Sequence, residues 1–455
     1  MVESKKGNHF PKSFWAANSI ELVERAAFYA VASFVVIYFN EVLGMSPTFS
    51  TFLNGTLLWG VIYFLPVLSG TLADKYGFKR SLSVSFVLIA FGYFIIGTVQ
   101  EFWPALIKPA IGEKIDYTIP VVLGIILVGI GGSIVKPCIA GTVQKTSGKK
   151  AVLGFGIFYM VINIGSMTGR GVSYFTRINM GIPAIFTYVA TIFALIGLFI
   201  VVFIYKEPEY VNDGKKDDQR VMKKTLAQAI AGIFIVLKNK KFVFFLIVMG
   251  FFWFIYVQIY NLIPLFLRFV DPEAPVEIYT LVNPVMIVLF QLLITNLTKK
   301  WTSLKSIMIG IMVTTLGMLV NILPVILFTD IAKKISFMGL AIPLAGMFIL
   351  LSLASMAVGE MMASPRQYEY IGAIAPKGEE GLYLGYANMP IALGTIIGSP
   401  IGGAMFEYFI SNPHKKGQPT NSVTMWLIVA FMGVLSMIGL AVYDKYLGRS
   451  KNNRE

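Results

Sequence analysis

Twelve apolar stretches recur along the 455 residues, beginning near Phe14, Thr51, Ser81, Thr118, Ala151, Pro183, Lys241, Glu277, Lys305, Ser336, Gly381 and Thr424. Each approaches the roughly 20 residues that a helix needs to cross the hydrocarbon of a bilayer. That core holds no water for unpaired backbone groups, so segments of this kind cross it as helices. With 56% hydrophobic and 14% charged residues and a mean hydropathy of +0.72, little chain remains for a soluble domain. The expectation is an all-α, multi-pass membrane protein. No cleavable signal peptide is expected, because the polar start from Met1 to Lys12 runs straight into a full-length span that carries charge. The single cysteine, Cys138, excludes an internal disulfide, and His9 and His414 fall in polar ends and loops, which argues against a zinc site. No metal or cofactor is expected.

The formal charge of +14 suggests nucleic acid until the basic residues are placed. With the amino terminus inside, 27 of the 38 lysines and arginines fall in cytoplasmic segments, 8 in outer segments, and Arg25, Lys136 and Arg170 in the membrane interior. This is the positive-inside pattern. It places both termini in the cytoplasm of a cell with the chain in its inner or plasma membrane, and it excludes nucleic acid as the partner. The longest basic run, Lys206 to Lys241, separates six spans from six, as in carriers built from two similar halves around a midplane site. The expected division is 1–206, a linker at 207–240, and 241–455. Apolar residues at helical spacing from about Val221 to Leu237 suggest an amphipathic helix on the inner surface.

Charge inside the first span is costly, about 2.5 to 3.5 kcal/mol per side chain at a bilayer centre. Glu21, Glu24 and Arg25 nevertheless lie there, on one helix face with Phe28 and Tyr29. Two readings are open: an ion cluster that pins helices together, or a substrate or proton site.

The loop after the second span, Gly70 to Arg80, resembles the Gly-x-x-x-Asp-basic-x-Gly-x-basic loop of the major facilitator superfamily. Its glycines allow a tight turn, and Asp74 suits a hydrogen bond with a neighbouring helix N-terminus. Within that superfamily, Glu21 to Tyr29 resembles the Glu-x-x-Glu-Arg-Phe-x-Tyr-Tyr motif of proton-dependent oligopeptide transporters. The likeness continues through Gly131, Lys136 and Pro137, then Phe158, Tyr159, Ile162, Asn163, Gly165 and Ser166, then Trp253, Gln258, Asn283 and Pro284. It ends in the tenth span at Glu360, Ser364, Pro365, Ala375 and Pro376. The resemblance implies twelve helices in two six-helix bundles, since the linker is too short for the two extra helices of many bacterial members.

A short peptide is a zwitterion, and its recognition needs a fixed cation, a fixed anion and amides. Arg25 and Lys136 supply cations, Glu360 the anion, Asn163 and Asn283 the amides, and Tyr29, Tyr63 and Trp253 the walls. The resemblance gives these positions the same roles, adds Ser364, and implies that Lys136 pairs with Glu360 when the site is empty. Three interior anions (Glu21, Glu24, Glu360) balance three cations (Arg25, Lys136, Arg170), so Glu21, Glu24, Arg25, Lys136 and Glu360 are the candidates for proton coupling.

The chain departs from the family in its outer gate. Val257 stands where glutamate is usual and Ala32 where a second arginine is common, which implies one lost ion pair. Arg170 stands where proline is common; gating or snorkelling to the outer surface is the expectation, with contact to an anionic substrate the alternative. Ala387 replaces an expected tryptophan and should enlarge a side-chain pocket. Arg366 and Glu369 suit either an inner gate or a solvated helix end. The glycines of the fourth and eleventh spans read as close-packing positions, and no nucleophile with a base at useful spacing suggests an enzyme. The function implied is monomeric, proton-coupled import of di- or tripeptides or peptide-like molecules. The alternatives are a carrier of another organic anion or zwitterion, and a ligand sensor that does not transport.

Overall fold

The computed structural model describes residues 9–110, 112–208, 226–337, 339–376 and 380–448. Among them, nine helices are long and apolar enough to cross a membrane: Phe78–Ile107, Thr118–Ser147, Ile182–Ile204, Lys240–Val270, Val276–Thr298, Ser303–Leu327, Leu344–Ile374, Tyr383–Lys415 and Ser422–Tyr446. Two bent pairs, Lys12–Ala32 with Val35–Val42 (42°) and Pro47–Phe64 with Pro66–Ala73 (45°), each make one further span. Ala151–Met180, a continuous 30-residue helix that carries the polar Asn163 and Arg170, is the fifth of twelve. The bend in span two has a plain cause, since Pro66 lacks an N–H and its ring crowds the preceding turn.

Packing sorts the spans into two six-helix bundles. In the first, span one packs against spans four, five and six, and span three against four and six; in the second, seven packs on eleven and twelve, nine on ten and twelve, and eight on ten. The bundles meet where span two lies against eleven and span five against eight. Twelve crossings leave the start of span one at Lys12 and the end of span twelve at Tyr443 on the same side of the molecule.

Small residues set how closely the helices approach. A Cβ on Gly165 would lie 2.6 Å from the Leu22 carbonyl oxygen, and one on Gly169 would meet the Ala26 carbonyl oxygen closer still. Span five therefore rests directly on the backbone of span one, at the turn that carries Glu24 and Arg25. Gly169→Leu should force these helices apart at a cost of about 3 kcal/mol or more, seen as a lowered midpoint of thermal unfolding in detergent; an unchanged midpoint would contradict the packing.

One expectation from the sequence is revised. The tenth span begins at Leu344 rather than near Ser336, because Lys334–Phe337 and Leu340–Pro343 form an antiparallel hairpin. Gly339 turns at φ 84°, and Pro343 disfavours helix before it, so the fold is all-α apart from this hairpin. At the loop after span two, Gly77 (φ 90°) makes the turn, and the Glu207 carboxylate accepts the Phe78 N–H at 2.7 Å. Glu207 thus caps the start of span three; the side chain of Asp74, expected to accept from a neighbouring helix N-terminus, lies outside the described residues. Of the linker, Leu226–Lys238 is helical and rests on Pro66–Tyr76; the start of the expected amphipathic helix at Val221 lies outside the described residues.

Candidate functional site

A cavity of about 1140 Å³ lies between the bundles. Its lining extends toward the end of the molecule where span one begins. Val67, Thr71, Ala140 and Gly156 line it there from the first bundle, and Gln291, Thr295, Tyr368 and Leu384 from the second. Tyr159 and Tyr368 are 43% and 39% exposed in it. Eight of the nine expected substrate residues line the wall: Tyr29, Tyr63, Lys136, Asn163, Trp253, Asn283, Glu360 and Ser364. Spans four and five bring Lys136 and Asn163 from one half, while spans eight and ten bring Asn283, Glu360 and Ser364 from the other.

The polar groups are held by specific neighbours. Asn283 Nδ2 donates to Glu360 Oε2 at 2.8 Å, with the Tyr256 hydroxyl beside the same carboxylate. Lys136 Nζ sits 5.4 Å from the centre of the Tyr63 ring, within electrostatic range of Glu21, Glu24 and Arg25. No ion pair joins Lys136 to Glu360 in this conformation among the described residues, so the pairing implied for the empty site is not formed here. Trp253 Nε1 donates to Gln367 Oε1 at 3.0 Å, which fixes the indole plane against the cavity.

Arg25 is the ninth expected residue, and the structure puts it behind the wall. It is 2% exposed, ion-paired to Glu24 and at 3.5 Å to Glu21. Its guanidinium lies 5.1 Å from the Phe28 ring centre and 6.0 Å from that of Tyr29. Neither Glu21 oxygen receives a hydrogen bond. The helix-face pattern collected these three charges correctly but did not say whether the face meets open space or span five. Ala387 is also buried and off the wall; its carbonyl accepts the Gln367 Nε2–H at 2.8 Å, and Tyr386 and Asn388 line the cavity on either side of it.

At the opposite end the halves are closed on each other. Arg268 pairs with Glu41 at 2.6 Å, joining spans seven and one, and Arg177 pairs with Glu277 at 2.9 Å, joining five and eight. Thr48 Oγ1 donates to Glu407 at 2.6 Å and Asn54 Nδ2 to Asn261 Oδ1 at 2.9 Å. Ser33 and Thr280 hydroxyls meet at 2.7 Å. The Arg268–Glu41 pair joins spans one and seven with polarity reversed from the expected family pair, while Ala32 and Val257 are buried and apolar.

Arg170 does not snorkel. It is 1% exposed, donating through Nε to Thr280 Oγ1 and through Nη2 to the Tyr260 hydroxyl, both at 3.1 Å, and through Nη1 to Ser166. The Tyr29 ring covers it at 4.6 Å. Arg366 and Glu369 do pair, at 2.6 Å, but Arg366 also bonds the Thr298 carbonyl and Glu369 accepts from Ser303. All of these partners belong to the second half, so the pair is not a link between halves.

The reading of the sequence missed Trp59, Tyr256, Tyr260 and Tyr368 on the wall. Trp59 and Tyr260 rings pack at 4.7 Å across the two halves. Trp253, Tyr256 and Tyr260 fall at intervals of three and four residues, a one-face signal that was available.

The family model described as Major Facilitator Superfamily matches residues 20–332. Human "Solute carrier family 15 member 2" is 26% identical over 35% of this chain and 22% of its own length. "Dipeptide and tripeptide permease B" of Xenorhabdus bovienii is 28% identical over 43% of this chain and 36% of its own length. These alignments therefore cover well under half of either relative. A solved peptide transporter, in complex with sulfate, superposes with a TM-score of 0.70 at 17% identity, covering 96% of this chain and 95% of that one. The motif resemblance to oligopeptide transporters is thus met again among the relatives. With more than half of its length matched and two six-helix bundles around a shared cavity, the chain belongs to the Major Facilitator Superfamily.

Proposed function

We propose that this protein is a proton-coupled secondary transporter that imports di- and tripeptides or peptide-like molecules by alternating access. One observation carries the reading: a single cavity presents one lysine, Lys136, from the first half and one glutamate, Glu360, from the second, with amides and aromatic rings between them. A zwitterion held by both groups bridges the two halves. The relative named as a dipeptide and tripeptide permease supports the same reading.

The halves are residues 1–206 and 241–455, joined by 207–240. The protein acts as a monomer in an inner or plasma membrane, with its basic end and both termini in the cytoplasm. The cavity then faces the cytoplasm, and the closed end with Arg177–Glu277 and Arg268–Glu41 is the outer gate. A carboxyl's affinity for a proton depends on its burial and on the distance to the nearest cation. Rocking that changes the separation of Lys136 and Glu360 makes Glu360 take up or release a proton, while the Glu21, Glu24 and Arg25 cluster, directly behind the wall, shares the change in field.

Exchange of labelled alanylalanine in proteoliposomes should be inhibited by unlabelled di- and tripeptides and not by free alanine. No exchange, but thermal stabilisation of the purified protein by alanylalanine, would replace the carrier by a ligand sensor. Inhibition by free amino acids or other organic anions as strong as by peptides would replace the substrate class.

A further inference from the structure

We infer that Arg170 makes this site select peptides that carry an additional carboxylate, that is, acidic dipeptides; the inference rests on the peptide reading above. Among the described residues, Lys136 lies in the range of Glu21 and Glu24, Arg25 is ion-paired to both of them, and Arg170 has no carboxylate within ion-pair distance. A cation buried in a membrane bundle without an anion is costly, and such residues mark substrate pathways. Its four partners are neutral: Ser166, Thr280, the Tyr260 hydroxyl and the Tyr29 ring.

The position of those partners gives the cation its function. Ser166, Tyr29 and Tyr260 all line the cavity, so Arg170 stands one layer behind its closed end. Ser166 and Tyr29 belong to the same half as Arg170, whereas Thr280 and Tyr260 belong to the other. Opening the closed end separates the halves along the seam that Ser33–Thr280 and Arg177–Glu277 now hold. Arg170 then loses two hydrogen-bond acceptors and faces the opened vestibule, where a carboxylate replaces both of them with charge-assisted bonds. On closure Thr280 and Tyr260 reclaim the guanidinium, and the carboxylate is released toward the terminal end. An anion that binds one conformation better than the other drives the change between them.

The site then has a place for each charge. The peptide amine meets Glu360, its terminal carboxylate meets Lys136, and an acidic side chain reaches past Ser166 toward Arg170. A neutral dipeptide leaves that third place to water.

The test compares alanylglutamate with alanylglutamine, which differ in one charge at nearly constant shape. In proteoliposomes with the intact chain, the acidic peptide should show an apparent affinity about tenfold or more above the neutral one, the size of one charge-assisted hydrogen bond. Arg170→Gln should bring the ratio of the two to about one. Arg170→Lys, which keeps the charge and loses the fork, should leave an intermediate ratio, and it carries the test if the glutamine variant does not fold. Equal affinities in the intact chain, or a preference unchanged in either variant, overturns the inference while uptake of both peptides upholds the peptide reading. If neither peptide is transported, stabilisation of the purified protein by the same two peptides gives the ratio. Stabilisation by neither overturns the inference and the peptide reading together.

Discussion

Glu360→Gln is expected to reduce the accumulation ratio of alanylalanine under an inward proton gradient to one, while exchange without a gradient continues at a lower rate. Glutamine retains the shape and can still accept the hydrogen bond that Asn283 Nδ2 now gives to Oε2 at 2.8 Å. It neither carries a charge for the peptide amine nor exchanges a proton. Loss of a charged hydrogen-bond partner costs about 1.5 to 3 kcal/mol, so affinity falls roughly ten- to a hundredfold, and loss of the titrating group removes the thermodynamic link to the gradient. Accumulation above equilibrium in this variant would place the coupling group elsewhere, with Glu21 and Glu24 next in line.

Locking the closed end should have an equally large effect. Ser33 in span one and Thr280 in span eight place their hydroxyl oxygens 2.7 Å apart across the seam, close to the reach of a disulfide. In the double variant Ser33→Cys with Thr280→Cys, oxidation is expected to abolish both uptake and exchange, and a reducing agent to restore them. Either single variant should be indifferent to both reagents. Cys138 is buried, at 0% exposure, and need not be replaced. A double variant that is cross-linked yet transports at the uncross-linked rate would mean that this end of the molecule does not open during transport.

The parts of the site that were legible in the sequence are those where physics leaves few alternatives. A lysine or glutamate within an apolar span must face a cavity or a partner, which placed Lys136 and Glu360 without coordinates. The amides Asn163 and Asn283, in spans five and eight, followed from the need to satisfy a peptide bond. Aromatic residues were harder, because the chain has 36 phenylalanines and 21 tyrosines and most of them suit lipid or helix packing as well as a cavity wall. Tyr256 and Tyr260 were lost in that background.

Arg25 and Arg170 fail for a different reason. Both are intramembrane arginines, and sequence gives the helix face they occupy but not what lies opposite. Span five, brought close by Gly165 and Gly169, covers Arg25; Tyr29, Tyr260 and Thr280 enclose Arg170. Each outcome depends on helices distant in sequence. The hairpin at Lys334–Pro343 was misread because Ile335, Phe337, Ala341 and Ile342 raise the local hydropathy to that of a span, while Gly339 and Pro343 end the run before a helix can use it.

The measurement that bears most directly on the whole account is alanylalanine uptake into proteoliposomes with and without an imposed inward proton gradient, with internal pH recorded at the same time. The account predicts uptake that rises with the gradient and an acidification of the lumen that appears only when peptide is present. Uptake at the same rate with no gradient, or peptide entry without acidification, would contradict it.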